Sequence, residues 1–556
     1  MVVLLLSSIN KMVPSRLYAK NQMIEMISLS SSMLPLLFVL LFSFSWVTSA
    51  HTHEDFIECF SLYVEDSTDI SKVIYTQNDS SYPSVLHLAI RNLRFNSTTL
   101  KPLVIVTPMN VSHIQAAIRC SQKNNLQIRI RSGGHDFEGL SYMSVLPFVI
   151  LDLINFRSVT IDVTNKTAWV QAGATVGELY YHIAKKGRTL AFPAGICPTM
   201  GVGGHLSGGG YGMLMRKHGL AADNIMDARL VDAKGRIVDR ASMGEDLFWA
   251  LRGGGGNSFG VVIAWKIKLV EVPPTLTVFN VLRTLEQNAT QLVHRWQYIA
   301  NKLHEDLMIT TYIRRVNSSQ GNPTIQATFA GFFLGGVDKL LQLMNGSFPE
   351  LGLAKDDCLE TSWIEAIILN RFPGNSSLEL LLGRTPRFVT NFKAKSDYVK
   401  EPMPEIALEG IFERFLEEEI ETPRLLLVPY GGKMDQISES SSPFPHRAGN
   451  VYKIEHQVSW SEEGKDASKR HIDWIRRLYS YMTPYVSKNP REAYINYRDL
   501  DIGMNNLAGN TSYKQASIWG RKYFKNNFDK LVRVKTAVDP ANFFRNEQSI
   551  PPLSSW

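Results

Sequence analysis

Three glycine-dense runs constrain this chain more than any other feature: "RSGGH" at 131–135, "GVGGHLSGGGYG" at 201–212 and "RGGGGNSFG" at 252–260. Glycine lets backbone amides come close to a ligand, and a row of such amides forms an anion cradle suited to a pyrophosphate. No Gly-Lys-Ser/Thr follows any run, which argues against a P-loop nucleotidase. The second run lacks a clean strand before it and a helix after it, so a Rossmann NAD site is a poor match. A dinucleotide held by several loops remains, and FAD fits.

The segments around these runs predict a mixed scaffold. "LKPLVIVTP" and "LQIRIRSGG" each set β-branched apolar residues before a Pro or Gly break, and "VSHIQAAIRCSQKNN" between them spaces Val111, Ile114 and Ile118 as a helix does. "SVTIDVTNKTAWVQAGA" predicts a hairpin turning at Asn165 and Lys166, "TVGELYYHIAKKG" a helix stopped by Gly187, and "IMDARLVDAKGRIVDR" a hairpin turning at Lys234 and Gly235. "GVVIAWKIKLVEV" predicts a buried strand, and "PPTLT" at Pro273 breaks the composition. Beyond it, "ITTYIRRV" and "TIQATFAGFFLGG" read as paired strands, whereas "IFERFLEEEIE" and "HIDWIRRLYSYM" read as amphipathic helices, with Glu417 to Glu419 on a solvated helix face. The aromatic, charged tail reads as a segment that docks elsewhere.

A length of 556 residues calls for two domains or one large composite unit. The N-terminus orders Lys11, Arg16 and Lys20, then "LPLLFVLLFSFSW", then "VTSA", which is the order of a secretory signal cleaved after Ala50. Its apolar run is shorter than the roughly 20 residues that span a bilayer, so stable membrane association after cleavage is not expected. Met23, Met26 or Met33 are alternative starts. Secretion agrees with acceptor sequences at Asn78, Asn96, Asn110, Asn165, Asn288, Asn317, Asn345, Asn375 and Asn510. Four cysteines allow three pairings; the expected bridge joins Cys59 to Cys120, closing a loop of ~60 residues. The net charge of +7 is interspersed with acids and forms no basic stripe, so no nucleic-acid partner is expected.

"RSGGHDFEGLSY", "CPTMGVGGHLSGGGYG", "RGGGGNSFG" and "YINYRDLDIG", followed by "NFFRNEQSIPP", resemble in order the berberine bridge enzyme-like flavoproteins of plants. These belong to the class sharing the vanillyl-alcohol oxidase type of FAD fold, and the chain is most similar to the tetrahydrocannabinolic acid synthase-like group, which oxidises prenylated phenolics. The resemblance implies an α+β fold: a PCMH-type FAD-binding domain over 51–272, an antiparallel-sheet substrate domain with helices on one face over 273–489, and a berberine-bridge segment over 490–556 that completes the FAD domain, after a signal at 1–50. It also implies bicovalent FAD, with His135 on the flavin 8α carbon and Cys197 on C6. An imidazole nitrogen and a thiolate are nucleophiles able to form such bonds. Arg131, Ser132, Gly133, Gly134, Gly201, Gly203, Gly204, His205, Gly208 and Asn496 complete the expected cofactor set. "HTHED" at His51 suits a metal by composition, but no functional metal is expected.

For the reaction, alternation in "YKIEHQVSW" puts Lys453 and Glu455 on one strand face, and the resemblance turns that face toward the flavin. Glu455 and Tyr497 are the candidate bases, with Tyr497 acidified by a cation such as Lys453, and Tyr211 lines the site. Two positions depart from the family pattern: Phe137 where many members carry a site tyrosine, and Met200 where valine is associated with oxygen access. The expected activity is a secreted or vacuolar monomeric oxidase. It moves hydride from a phenolic or prenylated aromatic to FAD, with O2 as acceptor giving H2O2. A carbohydrate or monolignol oxidase and a non-redox Diels-Alderase on retained FAD are the alternatives.

Overall fold

The computed structural model describes residues 53–64, 70–96, 100–318, 320–386, 389–506 and 511–553. The signal segment, His51 and Asn510 lie outside them. Residues 60–556 form one compact unit; of the unit before it, residues 53–59 are described and are helical.

Short β-branched runs make the first sheet, in the order Ile74–Thr76, Val104–Val106, Phe148–Asp152 and Gln127–Arg131, with its last three strands parallel. The helix Val111–Lys123 links two of them, and the Asn110 side chain accepts from the His113 N–H at its start. The expected hairpins fall in a five-stranded antiparallel sheet, in the order Val159–Asp162, Thr167–Gln171, Val261–Lys268, Ile225–Val231 and Ile237–Val238. The helix Val176–Lys186 opens on a Thr175–Glu178 capping box and ends at Gly187.

The seven-stranded antiparallel sheet is drawn wholly from residues 276–460, in the order Cys358–Thr361, Leu276–Thr284, Pro323–Phe333, Leu307–Asn317, Thr422–Pro429, Tyr452–Trp460 and Asn391–Val399. Period-two alternation gives it two different faces. Ile309, Ile313, Phe329, Leu425, Leu427 and Ile454 pack against Trp296, Ile411 and Trp474 from the helices Ala289–Ile299, Glu405–Phe415 and Lys465–Tyr481. Their neighbours Met308, Tyr312, Leu426, Val428 and Glu455 face a cavity. In Lys465–Tyr481 the row Ile475, Leu478 and, at its C-cap, Met482 is buried, and burial of each contributes about 1.5–3 kcal/mol.

Two elements differ from expectation. The second glycine run contains a short helix, Val202–Ser207, where none was expected. The helix over "IFERFLEEEIE" stops at Phe415, and Glu417 to Glu419 lie in the turn beyond it. Three adjacent carboxylates are unfavourable at the negative end of a helix dipole, and in the turn Glu417 and Glu419 instead meet Arg477.

Cys59 and Cys120 are disulfide-bonded, as expected, and Cys197 and Cys358 carry free thiols. All eight described acceptor asparagines are exposed.

Candidate functional site

The glycine loops and the open face of the seven-stranded sheet enclose one cavity of about 1240 Å³. Its floor is two interlocked loops. A Cβ on Gly133 would lie 2.2 Å from the Gly201 nitrogen, and one on Gly201 would lie 2.1 Å from Ser132 Oγ, so neither position admits a side chain. The Ser132 hydroxyl donates to the Ala172 carbonyl at 2.6 Å and anchors the first loop.

This interlock brings the two expected attachment residues to one hydroxyl. His135 Nε2 is 3.0 Å from Thr199 Oγ1, and Cys197 Sγ is 3.7 Å from the same oxygen. Burial, and then the Arg91 charge, push the His135 imidazole down to about 3, so its lone pair is unprotonated at neutral pH. Arg91 also interacts electrostatically with Cys197.

The cavity fits FAD on three structural grounds. A Cβ at Gly204 or Gly256 would meet nothing within 4 Å, so both backbones border open space on the cavity wall. Buried guanidinium nitrogens on that wall lack partners: Nε and Nη1 of Arg91, and Nη1 of Arg498. The volume also exceeds the few hundred Å³ of an ordinary small-molecule pocket. Amides and cations of this kind suit a pyrophosphate, and His135 with Cys197 would hold the ring system.

Across the cavity stands a tyrosine and carboxylate group. The hydroxyls of Tyr211 and Tyr497 are hydrogen-bonded to each other. Lys453 Nζ lies 3.4, 4.2 and 4.5 Å from the ring centroids of Tyr211, Tyr494 and Tyr497. Glu455 accepts from Arg424 at 3.0 Å. Phe137 stacks on Tyr497, with centroids 5.2 Å apart and planes 8° apart, and meets Phe392 edge-on at 5.3 Å.

The expectation that Lys453 acidifies Tyr497 is corrected by burial. Desolvation, then the Glu455 charge, hold the Tyr497 phenol well above its usual value, and the adjacent Tyr211 adds to this. Tyr211 is raised for the same first two reasons. Lys453 is itself pushed down by burial, with Glu455 opposing, so its ammonium is a weak source of acidification.

Ser132, Gly133, Gly134, His135, Cys197, Gly201, Gly203, Gly204, His205, Tyr211, Glu455, Asn496 and Tyr497 all border the cavity. Arg131, Gly208 and Lys453 do not. Arg131 is fully buried and donates to Asp152 at 2.7 Å and to the Val85 and Leu86 carbonyls at 2.7 and 2.9 Å; alternation gives the cavity to Ile130 instead. Gly208 makes room for Asn496, whose Oδ1 would lie 2.0 Å from a Cβ there. Lys453 stands behind the tyrosine rings. His205 borders the cavity as a neutral group, held near 3 by burial, and its Nε2 accepts the Gly195 N–H at 3.0 Å.

Sequence reasoning missed Thr199, Arg91 and Arg424. Thr199 was within reach, because a hydroxyl two residues from a candidate nucleophile is a local pattern. Arg91 and Arg424 are lone arginines in "LAIRNL" and "TPRLLL", and nothing local marks them.

Comparison with known proteins is consistent with this geometry. Residues 102–240 match the FAD binding domain family, and residues 493–551 match the family described as berberine and berberine like. The tetrahydroberberine oxidase of Berberis wilsoniae is 54% identical over 533 residues, covering 95% of this chain and 98% of that protein. Berberine bridge enzyme-like 28 of Arabidopsis thaliana superimposes with a TM-score of 0.84 at 49% identity, over 90% of this chain and 100% of the other. Phl p 4, a grass pollen allergen with glucose dehydrogenase activity, superimposes with a TM-score of 0.84 at 44% identity, over 90% of this chain and 100% of its own. A variant of that allergen with one isoleucine replaced by valine is described as a glucose oxidase.

Proposed function

Because the chain belongs to the berberine bridge enzyme-like family of FAD-dependent oxidoreductases, we propose that it is a secreted, monomeric oxidase of a phenolic or prenylated aromatic plant metabolite, with FAD held bicovalently by His135 and Cys197. One observation carries this reading: a neutral imidazole and a free thiol share the Thr199 hydroxyl on one side of a cavity whose other side carries Tyr497, Tyr211 and Glu455.

FAD held by His135 and Cys197 would supply a two-electron acceptor for hydride from the substrate, with O2 as the terminal acceptor. The chain's own groups handle the proton. A substrate phenol placed against Tyr497 would give its proton to the Tyr497 oxygen while the Tyr497 proton passes to the neighbouring Glu455 carboxylate, whose charge acts on that phenol. Arg424 orients the Glu455 carboxylate. Phe137, Phe392 and Met200 border the cavity and favour an apolar aromatic guest. Exposed acceptor asparagines and the disulfide support passage through the secretory route. No described helix is long and apolar enough to cross a membrane.

The attachment is tested by intact mass and visible spectra after denaturation. Flavin should stay on His135→Ala and on Cys197→Ala and leave only the double variant. Anaerobic mixing with phenolic substrates should bleach the flavin. Bleaching by glucose and by no phenol would overturn the substrate class in favour of the carbohydrate reading that Phl p 4 supports. One replacement separates Phl p 4, described as a glucose dehydrogenase, from a variant described as a glucose oxidase; in this chain the position that the family pattern associates with oxygen access is Met200, whose N–H bonds the Cys197 carbonyl at 3.2 Å. Met200→Val should speed reoxidation in air at least ~10-fold, about 1.4 kcal/mol in the barrier, in stopped-flow measurements.

A further inference from the structure

The strongest unexplained polar group lies outside the cavity, on the helix-covered side of the seven-stranded sheet. His471 has a fully buried side chain on the helix Lys465–Tyr481 and stacks on Trp460, with centroids 5.0 Å apart and planes 17° apart. Neither of its ring nitrogens has a hydrogen-bond partner. A buried imidazole left this way forfeits the stabilisation that hydrogen bonding normally returns, so a partner of another kind is called for. Its Nε2 lies 4.0 Å from Glu421 Oε1.

Glu421 and Glu462 complete the group: one ligand atom from each of Glu421, Glu462 and His471 lies within 4.8 Å of the other two. The Glu421 carboxylate lies beside the imidazole and accepts from the Ser461 N–H at 2.8 Å and the Ser461 hydroxyl at 2.9 Å through Oε2, and from the Glu462 N–H at 3.2 Å through Oε1. Glu462 is exposed and pairs with Arg470 through Oε2. Both carboxylates can move toward the imidazole; the imidazole, pinned by Trp460, is the fixed point.

We propose that Glu421, Glu462 and His471 form a Zn2+ site that clips together the turn before Thr422–Pro429, the turn after Tyr452–Trp460 and the helix Lys465–Tyr481. A neutral imidazole with two carboxylates suits Zn2+ better than the harder Mg2+, which prefers an all-oxygen octahedron. Three protein ligands leave a fourth tetrahedral position for water. Ligand distances of about 2.0–2.2 Å bring the donor atoms to roughly 3.4 Å from one another, a closure of an ångström or so within reach of two glutamates at the surface. The site is separate from the flavin cavity, so its role is structural.

The test uses the tag-free flavoprotein after EDTA treatment and dialysis, titrated with ZnCl2 and, separately, MgCl2 in a calorimeter. One Zn2+ per chain should bind with a Kd on the order of 10 µM, with no Mg2+ binding in that range. Saturating Zn2+ should raise the melting temperature by about 1–3 °C. Glu462→Gln, a surface change that leaves the fold and the flavin spectrum intact, should weaken binding at least ~10-fold, and His471→Gln should abolish it. No saturable Zn2+ binding up to millimolar concentration would overturn the proposal. So would binding equally tight in Glu462→Gln and wild type, which would place the ion elsewhere, and that arm stands even if His471→Gln fails to fold.

Discussion

Tyr497 keeps its proton under two influences that act together, burial and the neighbouring Glu455 charge. A phenol so raised cannot act as a free tyrosinate at neutral pH, and this is why Glu455 is needed as the terminal proton acceptor. The sign is definite: a carboxylate beside a phenol opposes a second negative charge, so neutralising the carboxylate lowers the phenol pKa. In wild type the relay works from a protonated Tyr497, so kcat/KM should stay level from neutral pH up to pH ~10. In Glu455→Gln the phenol must itself serve as the base, so the rate at neutral pH should fall and a limb that rises with pH should appear. A pH profile that does not move would remove Glu455 from the relay. Tyr497→Phe should lower kcat/KM by roughly 10²–10⁴ without changing the flavin spectrum. Phe137, a departure visible in the sequence, stacks flat on Tyr497 and thereby fixes the ring that carries the relay.

Among the elements, the glycine loops divide into positions that serve the fold and positions that face the cavity. Gly201 is hemmed in by the opposite loop, with Gly133 nitrogen 2.3 Å from a would-be Cβ, and backbone cannot yield as a side chain can. Gly201→Ala should therefore separate the loops, and we expect expressed protein with little or no covalent flavin. Gly204→Ala meets no protein atom within 4 Å, so it should fold normally and show reduced flavin occupancy. The ratio of flavin to protein absorbance, with circular dichroism as the control for folding, distinguishes the two. Equal loss in both variants would mean that the loops act only as a scaffold. The strand face shared by Lys453 and Glu455 was legible because period two needs no tertiary information. The helix ending at Phe415 was less so, since the local pattern of "IFERFLEEEIE" continues past the point where charge at the helix end stops it.

At the scale of the whole molecule, a buried charge network ties the C-terminal segment to both other parts of the unit. Lys393 bonds Asp499 at 2.7 Å and also bonds Glu138, three residues after His135, and Lys395 bonds Asp499 at 2.6 Å and Asp501 at 2.9 Å. Arg498 adds a bond to Asp136 at 2.8 Å, directly beside His135. The strand Asn391–Val399, the loop of His135 and the residues flanking Tyr497 are thus held in one arrangement. Removing one partner of a buried ion network leaves a charge unpaired, which costs about 3–5 kcal/mol. Lys395→Met should lower the unfolding free energy by that amount in urea titrations, and a loss below ~1 kcal/mol would mean the network is solvated.

Much of this protein was determined by its sequence alone: the glycine loops, the order of strands and helices, and the face shared by Lys453 and Glu455, with the two flavin nucleophiles indicated by the family resemblance. These are local properties, set by backbone freedom, by periodicities of two and 3.6, and by side-chain chemistry. Only the tertiary structure decided that Arg131 faces Asp152 and not the cavity, that Gly208 exists to admit Asn496, that burial outweighs Lys453 at Tyr497, and that Arg91 and Arg424 belong to the site. Each of these depends on which groups more than 20 residues apart come into contact and on how much water they lose, and neither quantity is contained in any local stretch of the chain.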